Sequence, residues 1–174
     1  LNDCLMKGDY KEPEQTIEIF DDEGYLKTGD IGEYDHDGYL TITGRAKDQF
    51  KTDKGKYIFP VPIELKFSKN PNIDQICIVG MGIPQPILLV VPSEEGKKKS
   101  KQELCDNLAN TIREINPTLE DHEKIEKAVV MNEEWTVANG LMTPTLKIKR
   151  SRVEKIHSPM YKSWFDAEEK IIFE

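Results

Sequence analysis

Ile76-Cys77-Ile78-Val79 and Ile87-Leu88-Leu89-Val90-Val91 stand seven residues apart, and both are apolar at every position. A half-solvated strand alternates apolar and polar residues, so two short unbroken runs predict strands buried in a core. Gly80-Met81-Gly82 lies between them. It joins strand to strand with no helix behind it, which excludes a phosphate-cradling glycine loop. Immediately upstream, Pro60-Val61-Pro62-Ile63-Glu64 opens a short helix running to about Ser68, since proline is tolerated in a first turn whose amides lack helical partners. Before that, Asp48-Gln49-Phe50-Lys51 and Tyr57-Ile58-Phe59 flank the loop Thr52-Asp53-Lys54-Gly55-Lys56, a hairpin in which Gly55 is best able to take a positive φ. Downstream, Ser100-Lys101-Gln102-Glu103 has the capping-box pattern, and Leu104, Leu108, Ile112 and Ile115 form one apolar helix face that Asn116-Pro117 ends. Ala128-Val129-Val130-Met131 reads as a third core strand. In the tail, Ser158 is expected as an N-cap and Pro159 as the first helical residue, with Trp164 and Phe165 packing. The expected class is α+β: a compact domain with a small sheet flanked by helices.

The residues further upstream read as β structure punctuated by turns. Thr16-Ile17-Glu18-Ile19-Phe20 alternates, and Tyr39-Leu40-Thr41-Ile42-Thr43 does too. Asp21-Asp22-Glu23-Gly24 and Asp35-His36-Asp37-Gly38 supply turn chemistry. This stretch is expected to be a β-rich remnant of another domain. The start at Leu1 fits the expectation of a piece of a longer protein.

Composition narrows the function classes. The net charge of -8 disfavours nucleic acid as a partner, because phosphate backbones reward basic surfaces. Cys4, Cys77 and Cys105 are odd in number and far apart, with neither a CxxC pair nor metal-ligand spacing, so no metal site is expected. Cys77 and Cys105 read as small core residues. His36, His122 and His157 share no motif and are expected at the surface. The Lys97-Lys98-Lys99-Ser100-Lys101 tract reads as a solvated turn. The apolar stretch from Pro86 to Pro92 is too short to span a bilayer. No leader-like segment opens the chain, so the expected location is cytoplasmic.

Several weak signals gain weight from their order. Tyr25-Leu26-Lys27-Thr28-Gly29-Asp30 precedes Asp37-Gly38-Tyr39-Leu40, then Gly44-Arg45-Ala46-Lys47-Asp48, then Gly55 and Pro60 to Glu64. Far downstream comes Asn139-Gly140-Leu141-Met142-Thr143-Pro144-Thr145-Leu146-Lys147-Ile148-Lys149-Arg150. This series, across nearly the whole chain, resembles the C-terminal half of the superfamily of acyl- and aryl-CoA synthetases, luciferases and peptide-synthetase adenylation domains. The resemblance implies that residues 1–46 are the end of the large N-terminal domain and 47–174 the mobile C-terminal domain.

It also implies roles. Asp30 would hold the ribose hydroxyls of ATP, a task suited to a carboxylate that only accepts hydrogen bonds, and Arg45 would assist there. Taken singly, Asp30 reads equally as a turn residue and Arg45 as half of a surface ion pair. Lys147 matches the catalytic lysine, with Lys149 a rival that the spacing to Arg150 disfavours. Leu146 departs from the commoner pattern, in which glycine precedes that lysine. Lys47 falls on the hinge about which the C-terminal domain rotates between two half-reactions. The loop with Lys54 and Gly55 would line the pantetheine channel of coenzyme A, although Gly55 alone reads as a plain hairpin glycine.

The long-chain fatty acyl branch is favoured by the loop from Arg45 to Gly55, one residue longer than in acetyl-CoA synthetases and luciferases. The phrases around Lys51–Tyr57 and Leu141–Lys147 also resemble that branch. The implied reaction is ATP-dependent ligation of a fatty acid to coenzyme A with Mg2+, and the N-terminal domain is the implied partner. No nucleic acid is expected, and the whole enzyme could associate peripherally with membranes. The fragment alone is expected to be inactive and to bind no cofactor tightly. Two alternatives stay open: an adenylation domain that loads a carrier protein, and a non-catalytic module that kept the fold.

Overall fold

The computed structural model describes residues 4–174. The chain divides into two compact units between Lys47 and Asp48.

In the first unit, α1 (Pro13–Ile19) precedes the antiparallel pair β1 (Asp30–Tyr34) and β2 (Leu40–Arg45). The strand expected over Thr16–Phe20 is a helix instead. Pro13 sits in its first turn, Glu14 follows, and the Thr16 hydroxyl donates to the Glu12 carbonyl at 2.8 Å. Only Phe20 keeps an extended pairing, a single bridge to Leu26. Both expected turns are present and are built alike. Asp21 Oδ1 accepts from the Glu23 and Tyr25 amides, and Asp35 Oδ1 accepts from those of Asp37 and Tyr39. A carboxylate that accepts backbone amides two and four residues on fixes such a reversal locally.

The second unit opens on the hairpin β3 (Phe50–Lys51) and β4 (Tyr57–Ile58), then α2 (Pro60–Phe67). Next come β5 (Ile73–Val79), β6 (Ile87–Pro92), α3 (Glu94–Lys97), α4 (Lys101–Ile115) and β7 (Lys127–Val130). α5 (Arg150–His157), α6 (Tyr161–Asp166) and β8 (Ile171–Phe173) complete it. The sheet order is β5-β6-β7-β8, antiparallel in the first pair and parallel in the others.

The unbroken apolar runs are explained by this sheet having two covered faces. Leu88 and Val90 pack with Ile63, Phe67, Leu104 and Leu108 from α2 and α4. Ile87, Leu89 and Val91 pack on the other side with Trp135, Val153, Tyr161 and Trp164. The capping box at Ser100 and Glu103 forms as expected.

The C-terminal reading needs correction. Ser158 caps nothing with its side chain and belongs to a 3₁₀ turn, Ser158–Met160, that continues from α5. His157 is buried rather than at the surface, its ring tilted against that of Trp164 at a centroid distance of 5.7 Å. Lys97 ends a short helix and pairs with Glu94 and Glu134, so it is not simply solvated.

Candidate functional site

Asp30 and Arg45 are facing residues at the open end of the β1–β2 pair. Arg45 Nε donates to Asp30 Oδ1 at 3.0 Å, with the Asp30 side chain 29% exposed and that of Arg45 61% exposed. The approach to Asp30 is fixed locally: Gly29 takes φ 75°, and the Thr28 hydroxyl accepts the Asp30 amide at 3.1 Å. A carboxylate has about four acceptor positions. The ion pair uses Oδ1, and Oδ2 makes no hydrogen bond among the described residues. The pair thus presents one acceptor and one cation side by side at a strand end. Lys47, two residues beyond Arg45, is exposed in the turn at the boundary between the units.

Lys54 and Gly55 occupy the tip of the β3–β4 hairpin. Thr52 is buried, and its carbonyl accepts the Gly55 amide at 3.0 Å while its amide donates to the Lys56 carbonyl. The loop is tied to the β5–β6 connection by Asp53 N–H to Ile83 O and Gly82 N–H to Lys51 O. Gly55 has φ 75° and open space where a Cβ would stand. A rigid hairpin base therefore carries a tip that leaves room for another molecule.

Lys147 lies on a tight turn between Leu141 and α5. Met142 bridges Ile148 in antiparallel fashion, Thr143 N–H donates to Lys147 O at 2.8 Å, and Leu146 N–H donates to Thr143 O at 2.9 Å. The Thr143 hydroxyl accepts the Lys147 amide at 3.1 Å. Its backbone is thus held, whereas its ammonium makes no ion pair or hydrogen bond among the described residues and is exposed. Lys149 donates its amide to Leu141 O and is the N-cap residue of α5.

Leu146 has φ 58°, the left-handed conformation that glycine adopts without steric cost. This explains why the departure from glycine still yields the turn, and it predicts a cost. The left-handed conformation costs roughly 1–2 kcal/mol for a non-glycine residue. Glycine costs about 0.4–1 kcal/mol through the freedom it adds to the unfolded chain. Leu146 is 70% exposed, so it has little packing to lose. Leu146→Gly is therefore expected to stabilise the protein by about 0.5–1 kcal/mol in thermal or urea unfolding. A clear destabilisation would show that the leucine side chain holds the turn.

One arrangement escaped the sequence reading. Arg150 Nη2 donates to both Glu64 oxygens at 2.8 Å, and the two side chains are only 13% and 14% exposed. Arg150 Nη1 donates to Ile78 O at 2.8 Å, while Glu64 Oε1 accepts the Ile78 amide at 2.7 Å. Cys77 Sγ lies 3.3 Å from Nη1. Burial pushes the Cys77 thiol up to about 12, against the pull of Arg150, so it is no nucleophile. Nearby, burial raises Glu154 and Tyr161 and lowers His157. Among the described residues no three His, Cys, Asp or Glu side chains gather to hold a metal ion.

A family model described as AMP-binding enzyme C-terminal domain matches residues 47–169. The chain belongs to this family. Among curated proteins, the mouse long-chain-fatty-acid–CoA ligase 5 is 33% identical over 95% of this chain and 27% of its own length. The yeast long-chain-fatty-acid–CoA ligase 4 is 31% identical over 81% of this chain and 23% of its own. The chain spans about a quarter of the length of these relatives. The solved adenylation domain of a carboxylate reductase from Mycobacterium chelonae superposes with a TM-score of 0.79. It shares 22% identity over 95% of this chain and 27% of that one. The α+β fold is that of an adenylate-forming enzyme's C-terminal part.

Proposed function

We propose that the chain is the C-terminal part of an ATP-dependent long-chain fatty acid–CoA ligase. The observation that carries this reading is the Lys147 turn: a fixed backbone presents an ammonium that no group among the described residues neutralises. In the first half-reaction a fatty-acid carboxylate attacks the α-phosphorus of ATP. A carboxylate O–P bond forms, and the bond to the departing pyrophosphate breaks. Negative charge grows on the phosphoryl oxygens, where a positioned ammonium acts most strongly. Asp30 accepts from the ribose hydroxyls through its remaining oxygen, with Arg45 orienting the carboxylate.

In the second half-reaction the thiol of coenzyme A attacks the acyl carbonyl, and AMP leaves. The loop with Lys54 and Gly55 then lines the pantetheine channel, after rotation at Lys47. Residues 1–46 belong to the N-terminal domain and 47–174 to the rotating one. Mg2+ would supply neutralisation of phosphate charge, and groups outside this chain would mainly hold it. Cytoplasmic location and peripheral membrane association of the whole protein belong to the same proposal, and cell fractionation reads both.

Pyrophosphate release with ATP, Mg2+ and palmitate is the test. The full-length protein is expected to turn over and to prefer long acyl chains over acetate. The isolated chain is expected to fold, with no sustained turnover and no tight nucleotide binding. Turnover by the isolated chain would place the site elsewhere. Coenzyme A-independent loading of a carrier protein by the full-length protein would replace the ligase reading with the carrier-loading one.

A further inference from the structure

We infer that the part-buried Glu64–Arg150 pair is a positioning device for Lys147, an inference that rests on the ligase reading above. β5 is an edge strand, and an edge exposes backbone groups that need partners. At Ile78, side chains from α2 and α5 supply them, and the Gln75 side chain separately ties β5 to Trp135. Gln75 exchanges hydrogen bonds with the backbone of Trp135, its Oε1 accepting the amide at 2.8 Å and its Nε2 donating to the carbonyl at 2.9 Å. Ile78 gives its amide to Glu64 and its carbonyl to Arg150. The Lys147 turn lies between these two anchors and, among the described residues, is closed by its own hydrogen bonds, by Lys149 N–H to Leu141 O and by a 3.7 Å contact from Gln75 Nε2 to Met142 Sδ.

Arg150 is three residues from Lys147 and is the first residue of α5. Its guanidinium grips α2 through both Glu64 oxygens and grips β5 through Ile78. A planar fork holds direction as well as distance, which a lysine ammonium does not. The pair therefore fixes where α5 begins and so where the downstream arm of the turn must end. Neither Glu64 nor Arg150 is assigned a contact with substrate. Their effect passes through Lys147.

The test uses Arg150→Lys and Glu64→Gln in the full-length protein, each alone and combined with Lys147→Ala. Acyl-adenylate formation from ATP and palmitate is measured separately from thioester formation from supplied palmitoyl-adenylate. Each single variant is expected to lower the adenylation rate by about 10²-fold, the typical penalty of misplacing a catalytic group by about 1 Å. The KM for ATP and the thioester step should change little. In the Lys147→Ala background neither variant should lower adenylation further.

Equal loss of both half-reactions, or a further loss in that background, would make the pair a fold element only and overturn the inference. Unchanged adenylation in Arg150→Lys and Glu64→Gln would overturn it as well. Should Glu64→Gln not yield folded protein, Arg150→Lys gives the same readings. If Lys147→Ala itself adenylates normally, the ligase reading fails and takes this inference with it. If Lys147→Ala is crippled while Arg150→Lys is not, only the inference fails.

Discussion

Lys147→Ala in the full-length protein is expected to lower acyl-adenylate formation by roughly 10²–10³-fold, the usual consequence of removing one group aimed at developing charge. The expectation follows from what the turn does and does not fix. Its hydrogen bonds use the backbone of Lys147 and the Thr143 hydroxyl, so truncation leaves the turn intact. The lost group is a cation with no protein partner among the described residues. Loss of an interaction made only in the transition state lowers the rate constant rather than substrate affinity. KM for ATP should therefore move little. Phosphoryl charge develops only in the first half-reaction, so thioester formation from supplied acyl-adenylate should be nearly spared. Lys149→Ala is the control and should be milder, since Lys149 contributes its amide to Leu141 O. Parallel loss of both half-reactions would make Lys147 a general binding residue.

Much of the second unit was legible because local signals and tertiary packing agree there. The apolar runs at Ile76 and Ile87 became the adjacent strands β5 and β6, and Ser100 and Glu103 capped α4. Gly55 marked a hairpin tip and adopts the positive φ that such a tip uses.

Other elements gave little signal. In Thr16–Phe20 the two isoleucines alternate as in a strand, yet no residue of α1 is buried, so the alternation reported no packing face. β8 has three residues and follows Lys170, and its pairing with β7 is parallel and non-local. α5 buries only Val153 and His157, four residues apart amid charge, too sparse a stripe to read.

The site divides in the same way. Asp30, Arg45, Gly55 and Lys147 were singled out from motif order, and the structure pairs the first two across one strand end. The Glu64–Arg150 pair spans 86 positions, and no local pattern links residues that far apart. Only the fold makes them neighbours.

Alternation of two loops at one site is the central claim of the ligase reading, and Lys47 is where it can be broken. Lys47 is exposed at the boundary between the units, and its amide makes no hydrogen bond among the described residues. Proline there removes no bond but fixes φ near -65°. A rotating domain needs backbone dihedrals to change at a few such element-terminal positions. Restricting one of them should favour a single pose. Because the Lys147 turn and the Gly55 loop would serve different half-reactions, the expected loss falls on thioester formation, by about 10²-fold, with adenylation largely retained. Single-turnover measurement of each half-reaction on full-length Lys47→Pro decides the matter. Selective loss of thioester formation is the predicted result; equal retention, or equal loss, of both steps would contradict the account.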